Sequence, residues 1–194
     1  MLNEIILASK SEVRKQILIK HGINCRVEPS NVDEEPVKQS LIKAGATPEI
    51  ISKNLAELKA NKVSLKKKDE IVLGADSVID LEGKIISKPE NREEALEILK
   101  KLNGKHHFLI SSVCLSKNGK MIWHYSDKAK LTMKNFEILE LKNYLARVTD
   151  KALYAYNVYQ IEGVGKDLFL KIEGNKNTIM GLPIEKIKEY LKNL

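Results

Sequence analysis

The sequence predicts an α/β fold, a mixed twisted β-sheet with flanking helices, and three observations carry that expectation. Short apolar runs of strand length are followed by stretches in which apolar residues recur at helical spacing. A long strand-like stretch is broken at its middle by Asn118-Gly119, the dipeptide of a tight antiparallel turn. The 194 residues, 43% hydrophobic and 30% charged, suit a single domain over 1–194 with one sizeable core, divided into two lobes around a cleft.

The elements follow in order. Glu4 to Ala8 reads as a short strand. Ser9 and Ser11 supply N-cap chemistry to a helix ending about His21, with Val13, Ile17 and Leu18 on its apolar face. "INCRVEP" is a second short strand, and "SNVDEEP" an acidic loop closed by Pro36. Helices are expected over 37–45 and 48–65, separated by the Gly45 to Pro48 punctuation. Ile71 to Ala75 is a buried strand with Asp76 almost at its end, where a lone carboxylate is costly to bury without a partner. "DLEGK" turns the chain into a return strand, Ile85 to Ser87, ahead of Lys88-Pro89. Asn91 caps a helix whose core face is Ala95, Leu96, Leu99 and Leu102. A hairpin about Asn118-Gly119, a helix near 137–146, a loop rich in Tyr and the strand "DLFLKI" follow. "GLPIEKIKEYLKNL" is a C-terminal helix started by Pro183. No repeat and no low-complexity linker interrupts the series.

Several function classes are excluded or disfavoured. No apolar stretch approaches the length of a membrane span, and Ile5 to Ala8 is too short for a secretory leader, so a cytoplasmic protein is expected. Cys25 and Cys114 are isolated and are expected to be reduced and buried, without disulfide or zinc. The net charge of +7 comes from lysines spread along the chain. With an aromatic content of 5%, few platforms for base stacking exist, and a nucleic-acid partner is not expected. The charge does suit a polyanionic ligand such as a nucleotide.

Gly-Lys occurs at 83–84, 104–105, 119–120 and 165–166, never followed by Ser or Thr, which excludes a Walker-type phosphate loop. His106 and His107 are adjacent in a strand and point to opposite faces, a poor metal pair. "GKIISKPENREEALEIL" has the outline of the Nudix box, but Pro89 stands where that box needs Glu, and Glu94 where it needs an apolar residue. An acidic first turn of a helix explains the stretch better.

Polar groups collect at the ends of apolar elements in four segments: "LASKSEVRK" with Ser9, Ser11 and Arg14; "VDEE" with Asp33 and Glu34; "LAELKANK" with Lys59; and "LGADSV" with "SKP", carrying Asp76, Ser77 and Lys88. Taken singly they are a helix cap, a solvated loop, a surface lysine and a paired aspartate. Taken together and in order, with "YQIEGVG" (Glu162, Gly163, Gly165) and "MGLP" (Gly181 to Pro183), they resemble the Maf-like nucleoside triphosphate pyrophosphatases over essentially the whole chain. The resemblance implies an inosine-triphosphatase-like fold with a deep cleft between two lobes, and hydrolysis of a nucleoside triphosphate to the monophosphate and pyrophosphate with a divalent metal, Mg²⁺ or Mn²⁺. It implies Asp76 as general base, Asp76 and Glu34 as metal ligands, and Ser9, Ser11, Arg14, Lys59, Ser77, Lys88 and Glu162 as substrate-binding residues. Phosphoanhydride cleavage needs such cations to spread charge and such carboxylates to hold a metal and activate water.

Three positions depart from the commonest family pattern: one arginine of S-P-R-R is missing where Glu12 and Val13 stand, Ser77 replaces Thr, and Glu162 replaces Gln. These departures resemble the branch that includes the 7-methyl-GTP-preferring enzymes and point to a guanine-type or other modified nucleotide. The alternative is a nucleotide-binding regulator of division or stress with little turnover. The partners expected are the triphosphate and, among proteins, a second copy of the chain as a homodimer; no membrane is expected.

Overall fold

The computed structural model describes residues 4–150, 152–153 and 157–194. The strands are β1 (Ile5–Leu7), β2 (Cys25–Val27), β3 (Val72–Leu81), β4 (Lys84–Ile86), β5 (His106–Lys117), β6 (Lys120–Met133) and β7 (Phe169–Glu173). They form one sheet in the order β2-β1-β3-β5-β6-β7, with β4 paired to β3. β1 pairs in parallel with β2 and β3, whereas β3–β4 and β6–β7 are antiparallel. The mixed α/β expectation holds.

The chain divides into two compact units. The first comprises the chain up to Val78, Ile110–Lys128 and Asn175–Leu194; the second comprises Ile79–Leu109 and Ala129–Gly174. In the first unit the period of two sorts side chains to two faces of the sheet. Ile5 and Leu7 of β1, Leu73 and Ala75 of β3, and Val113 and Leu115 of β5 form one cluster. Ile17 and Leu18 of α1 (Glu12–Lys20) and Ile184 and Ile187 of the last helix, Ile184–Leu191, cover it. Ile6, Ala8, Val72 and Cys114 take the other face against Ala56, Ala60 and Val63 of α3 (Pro48–Ser64). Both faces are therefore buried, as parallel strands require.

The second unit packs α4 (Arg92–Leu102) and α5 (Ile138–Arg147) together with β4 and β7. Asn91 caps α4 by accepting from the Glu94 amide, as its sequence position predicts. Arg92 donates to the carbonyls of Leu145 and Val148 at the end of α5, at 2.8 and 2.9 Å. A cation placed there answers orphan carbonyls and the helix dipole together. Asn118 and Gly119 both take positive φ in the hairpin turn.

Several expectations are corrected. β3 does not stop at Ala75 but runs to Leu81, because Ile79 to Leu81 gain a new partner in β4; Asp76 thus lies within the strand. The acidic loop is shorter than expected. Asp33 is the N-cap of α2 (Glu34–Lys43), and Pro36 sits in its first turn, where the missing N–H costs nothing. Ile98 joins the core face of α4, while Leu96 is only half-buried. Cys25 is partly exposed. A 3-10 helix, Val164–Leu168, and a short helix, Lys176–Ile179, have no sequence signal strong enough to announce them. In the Tyr-rich loop, Tyr154 and Tyr156 lie outside the described residues.

Candidate active site

Asp76 and Ser77 are neighbours in β3, so their side chains leave on opposite faces of the sheet. Asp76 follows Val72 and Gly74 on the α3 face. Gly74 is what lets the helix come close: a Cβ there would stand 2.2 Å from the Ala56 carbonyl and 2.7 Å from the Ala60 nitrogen. That contact places Lys59 over the strand. Its ammonium donates to Asp76 Oδ1 at 2.8 Å and approaches Glu34 Oε2 at 2.9 Å. Asp76 and Lys59 are each 7% exposed. Ser52, fully buried on α3, donates to the Asp76 carbonyl at 3.2 Å. The other carboxylate oxygen, Asp76 Oδ2, is buried with no hydrogen-bond partner among the described residues. An acceptor left so is costly in a finished structure, and it marks a place for a proton donor or a cation.

Ser77 points to the α1 face and meets Arg14. The guanidinium donates through Nε to the Gly181 carbonyl (3.0 Å) and through Nη1 to the Ala75 carbonyl (2.9 Å) and Ser9 Oγ (3.2 Å). Through Nη2 it donates to Ser77 Oγ at 3.2 Å. Burial lowers the Arg14 pKa from its ordinary value, opposed by the charges of Asp76 and Glu34. Ser77 Oγ lies 2.9 Å from Ser111 Oγ, and Ser111 donates to the Thr178 carbonyl at 2.7 Å. With the Ser111 proton committed to Thr178, the Ser77 hydroxyl donates to Ser111. The chain of bonds is therefore directed, from Arg14 through Ser77 and Ser111 to Thr178.

At the start of α1, Ser9 Oγ accepts from the Ser11 amide at 3.2 Å, and Ser11 Oγ caps the helix by accepting from the Arg14 amide at 3.3 Å. Both hydroxyls are acceptors toward the protein and keep their own protons to give to an anion at this helix N-terminus.

The fold thus brings Ser9, Ser11, Arg14, Glu34, Lys59, Asp76 and Ser77 into one unit. Lys88, exposed after β4, and Glu162, exposed in the loop before the 3-10 helix, belong to the second. Two expectations change in character. Arg14 gives four of its N–H groups to the protein, and Ser77 has its proton and an acceptor position engaged, so both act first as braces. Ser111 and Thr178 are not found by sequence reasoning; the only signal was serine inside the otherwise apolar strand "ISSVCLS".

The sequence profile of the Maf-like protein family matches residues 4–194. A protein of Pelagibacter ubique, named nucleoside triphosphate pyrophosphatase, is 72% identical over 99% of this chain and 98% of its own. The chain belongs to the Maf-like family. Proteins of Brucella abortus and Mesorhizobium japonicum named 7-methyl-GTP pyrophosphatase are 39% and 38% identical, over 95% and 100% of this chain and 92% and 98% of theirs. Among solved structures, the Ham1 proteins of Staphylococcus aureus and Coxiella burnetii share this Maf-like chain's fold with TM-scores of 0.55 and 0.53. Their identities are 12% and 14%, over 98% and 100% of each chain, so the likeness is one of fold. Among the described residues no helix is long and apolar enough to cross a membrane.

Proposed function

We propose that this chain hydrolyses a nucleoside triphosphate to the monophosphate and pyrophosphate, that Asp76 is the general base, and that a guanine-type base such as that of 7-methyl-GTP is preferred. The observation that carries the mechanism is Asp76 itself. One oxygen is fixed by Lys59, while Oδ2 is left without a hydrogen-bond partner among the described residues. A water hydrogen-bonded to Oδ2 gives up a proton as its oxygen bonds to the α-phosphorus. The bond from that phosphorus to the bridging oxygen breaks, and pyrophosphate leaves with the electron pair. The hydroxyls of Ser9 and Ser11, with the dipole of α1, hold phosphate oxygens. Lys59 carries a third N–H, and Lys88 takes its phosphate-binding part from the resemblance. With a nucleoside triphosphate as substrate, the cytoplasm is the proposed compartment.

Asp76 and Glu34 fit a hard divalent cation, Mg²⁺ or Mn²⁺, because they join an unclaimed buried oxygen to a second carboxylate. Among the described residues no cluster of three or more His, Cys, Asp or Glu could hold a metal, so phosphate and water would complete the shell. Such an ion supplies charge neutralisation on the triphosphate.

Base preference rests on Glu162. An ionised carboxylate only accepts, whereas the glutamine common at this position both donates and accepts. Adjacent donors on a guanine edge suit the carboxylate; a uracil carbonyl opposes oxygen to oxygen. The relatives named 7-methyl-GTP pyrophosphatase support this choice.

The test is kcat/KM for GTP, 7-methyl-GTP, UTP and dTTP on the wild type and Glu162→Gln, with products identified. Guanine-type preference that narrows or reverses in the variant is the expected result, with pyrophosphate released and chelation abolishing turnover. A uniform loss on all four substrates removes the base-reading role, and release of orthophosphate with a diphosphate overturns the reaction. No turnover on any triphosphate favours the binding-only regulator.

A further inference from the structure

The second unit contains a buried polar pair that the chemistry above does not use. His107, 1% exposed on β5, has its Nε2 at 2.7 Å from the Tyr159 hydroxyl, and Tyr159 is itself 4% exposed. The Tyr159 ring stands edge-on to Phe169 with centroids 4.8 Å apart, and the His107 ring lies 5.9 Å from Phe169. Tyr159 and Phe169 are the two ends of one loop. Between them come Glu162, exposed, and the 3-10 helix, whose Leu168 turns back into the core. A loop whose ends meet and are packed by its own side chains is an Ω-loop, a type often found carrying function.

Inside the loop the backbone closes on itself. The Gly163 amide donates to the Gln160 carbonyl at 3.1 Å, and the Lys166 amide to the Gly163 carbonyl at 3.2 Å. Gly165 lies so close to Gln160 that a Cβ would meet its carbonyl oxygen at 2.6 Å and its nitrogen at 2.8 Å. Tyr144 on α5 donates to the Val158 carbonyl at 3.0 Å, holding the chain just before the neck. The backbone that carries Glu162 is therefore part of a compact turn, and that turn is anchored to the sheet through Tyr159 on one side and Phe169 on the other. His107 is the group in the sheet that holds Tyr159 by a hydrogen bond.

We propose that His107, Tyr159 and Phe169 form the neck of a specificity loop, and that His107 and Tyr159 are positioning residues that order the turn presenting Glu162. The specificity part rests on the reading of Glu162 as the base-reading residue. The ordering part stands on the neck geometry alone. His107 acts here as a neutral hydrogen-bonding group in an aromatic setting, so a side chain able to put an amide group, donor and acceptor both, near the Nε2 position replaces it and an aliphatic one does not.

The experiment compares Tyr159→Phe, His107→Leu and His107→Gln with Glu162→Gln and the wild type. Amide hydrogen exchange is read at Gly163 and Lys166, and kcat/KM is measured for GTP and UTP, with thermal melts to correct for folded fraction. Tyr159→Phe keeps the ring packing and removes only the hydroxyl. It and His107→Leu are expected to speed exchange at both amides about tenfold and to shrink the GTP-to-UTP preference several-fold. His107→Gln is expected to restore much of both. Unchanged exchange in Tyr159→Phe overturns the proposal. A preference that moves in Glu162→Gln but not in Tyr159→Phe overturns the link between neck and specificity while the base-reading role stands. If Glu162→Gln lowers both substrates equally, it is the base-reading role that fails, and the exchange rates still decide whether the neck orders the loop.

Discussion

The Asp76 cluster of the first unit and the His107 knot of the second both bury titratable groups, and they solve the cost in opposite ways. Around Asp76 two carboxylates share the Lys59 ammonium, the Arg14 guanidinium acts on both through space, and one carboxylate oxygen has no hydrogen-bond partner among the described residues. Around His107 the surroundings are aromatic rings and a phenol, and burial pushes the imidazole pKa down to about 4, with His106 adding to the effect. Burial likewise raises the Tyr159 hydroxyl. A buried ion pair is a poor source of net stability, and the proposed general-base role of Asp76 gives the pair a purpose in chemistry instead. A neutral hydrogen-bonded pair among aromatic rings supplies order without charge, although His107 Nδ1, like Asp76 Oδ2, is buried with no hydrogen-bond partner among the described residues. On the proposed function, the first region reacts and the second holds.

Four substitutions or conditions test that contrast. The largest effect is expected from Asp76→Asn, which keeps the shape and leaves Lys59 its contact with Glu34. Turnover is expected to fall by about 10²–10⁴-fold with the melting temperature little changed. Near wild-type kcat in steady-state assays would remove Asp76 from the mechanism.

Lys59→Met strands a buried carboxylate, and urea unfolding is expected to show a loss of about 3–5 kcal/mol. Adding Asp76→Leu to Lys59→Met should recover most of that stability in an inactive protein. Failure to recover it would mean that the ion pair stabilises the fold after all, and the contrast between the regions would weaken.

The third test is pH. The His107 pKa is about 4 in the folded chain and about 6.5 in an unfolded one. Between these values the unfolded state binds more protons, so this contribution is complete above about pH 6.5 and is lost as pH falls toward 4. The loss amounts to about 3 kcal/mol over that window. Unfolding free energies at several pH values, measured on the wild type and His107→Phe, check it: the slope should flatten in the variant. An unchanged slope assigns it to other groups.

The smallest effect is expected from Gly74→Ala. The new methyl group meets α3 backbone, and overpacking of this kind costs about 1–3 kcal/mol. Because the helix that retreats carries Lys59, activity per folded molecule should fall as well. Lost stability with full activity would show that the close approach of α3 is not what positions Lys59.

The helices and strands were legible where a local rule decides them. Asn91 caps its helix, Asn118-Gly119 makes its turn, and His106 and His107 part to opposite faces, one exposed and one buried. The charged site was legible as motifs, because residue types suited to a triphosphate recur in a family order. Element ends were less so: α2 begins at Glu34 and β3 continues past Asp76, since both depend on partners distant in sequence.

By itself, then, the sequence determined the α/β class, the family, and which carboxylates and cations are present to do chemistry; these follow from composition, periodicity and ordered motifs. The tertiary structure decided what each group is free to do. It put Asp76 and Ser77 on opposite faces of one strand, spent most of the Arg14 donors on Gly181, Ala75, Ser9 and Ser77, and buried Asp76 Oδ2 with no hydrogen-bond partner among the described residues. It also turned His107, in sequence an unremarked strand residue, into the anchor of the Glu162 loop. The physical reason is that hydrogen-bond capacity and burial are properties of neighbours in space, and a residue's neighbours in sequence do not name them.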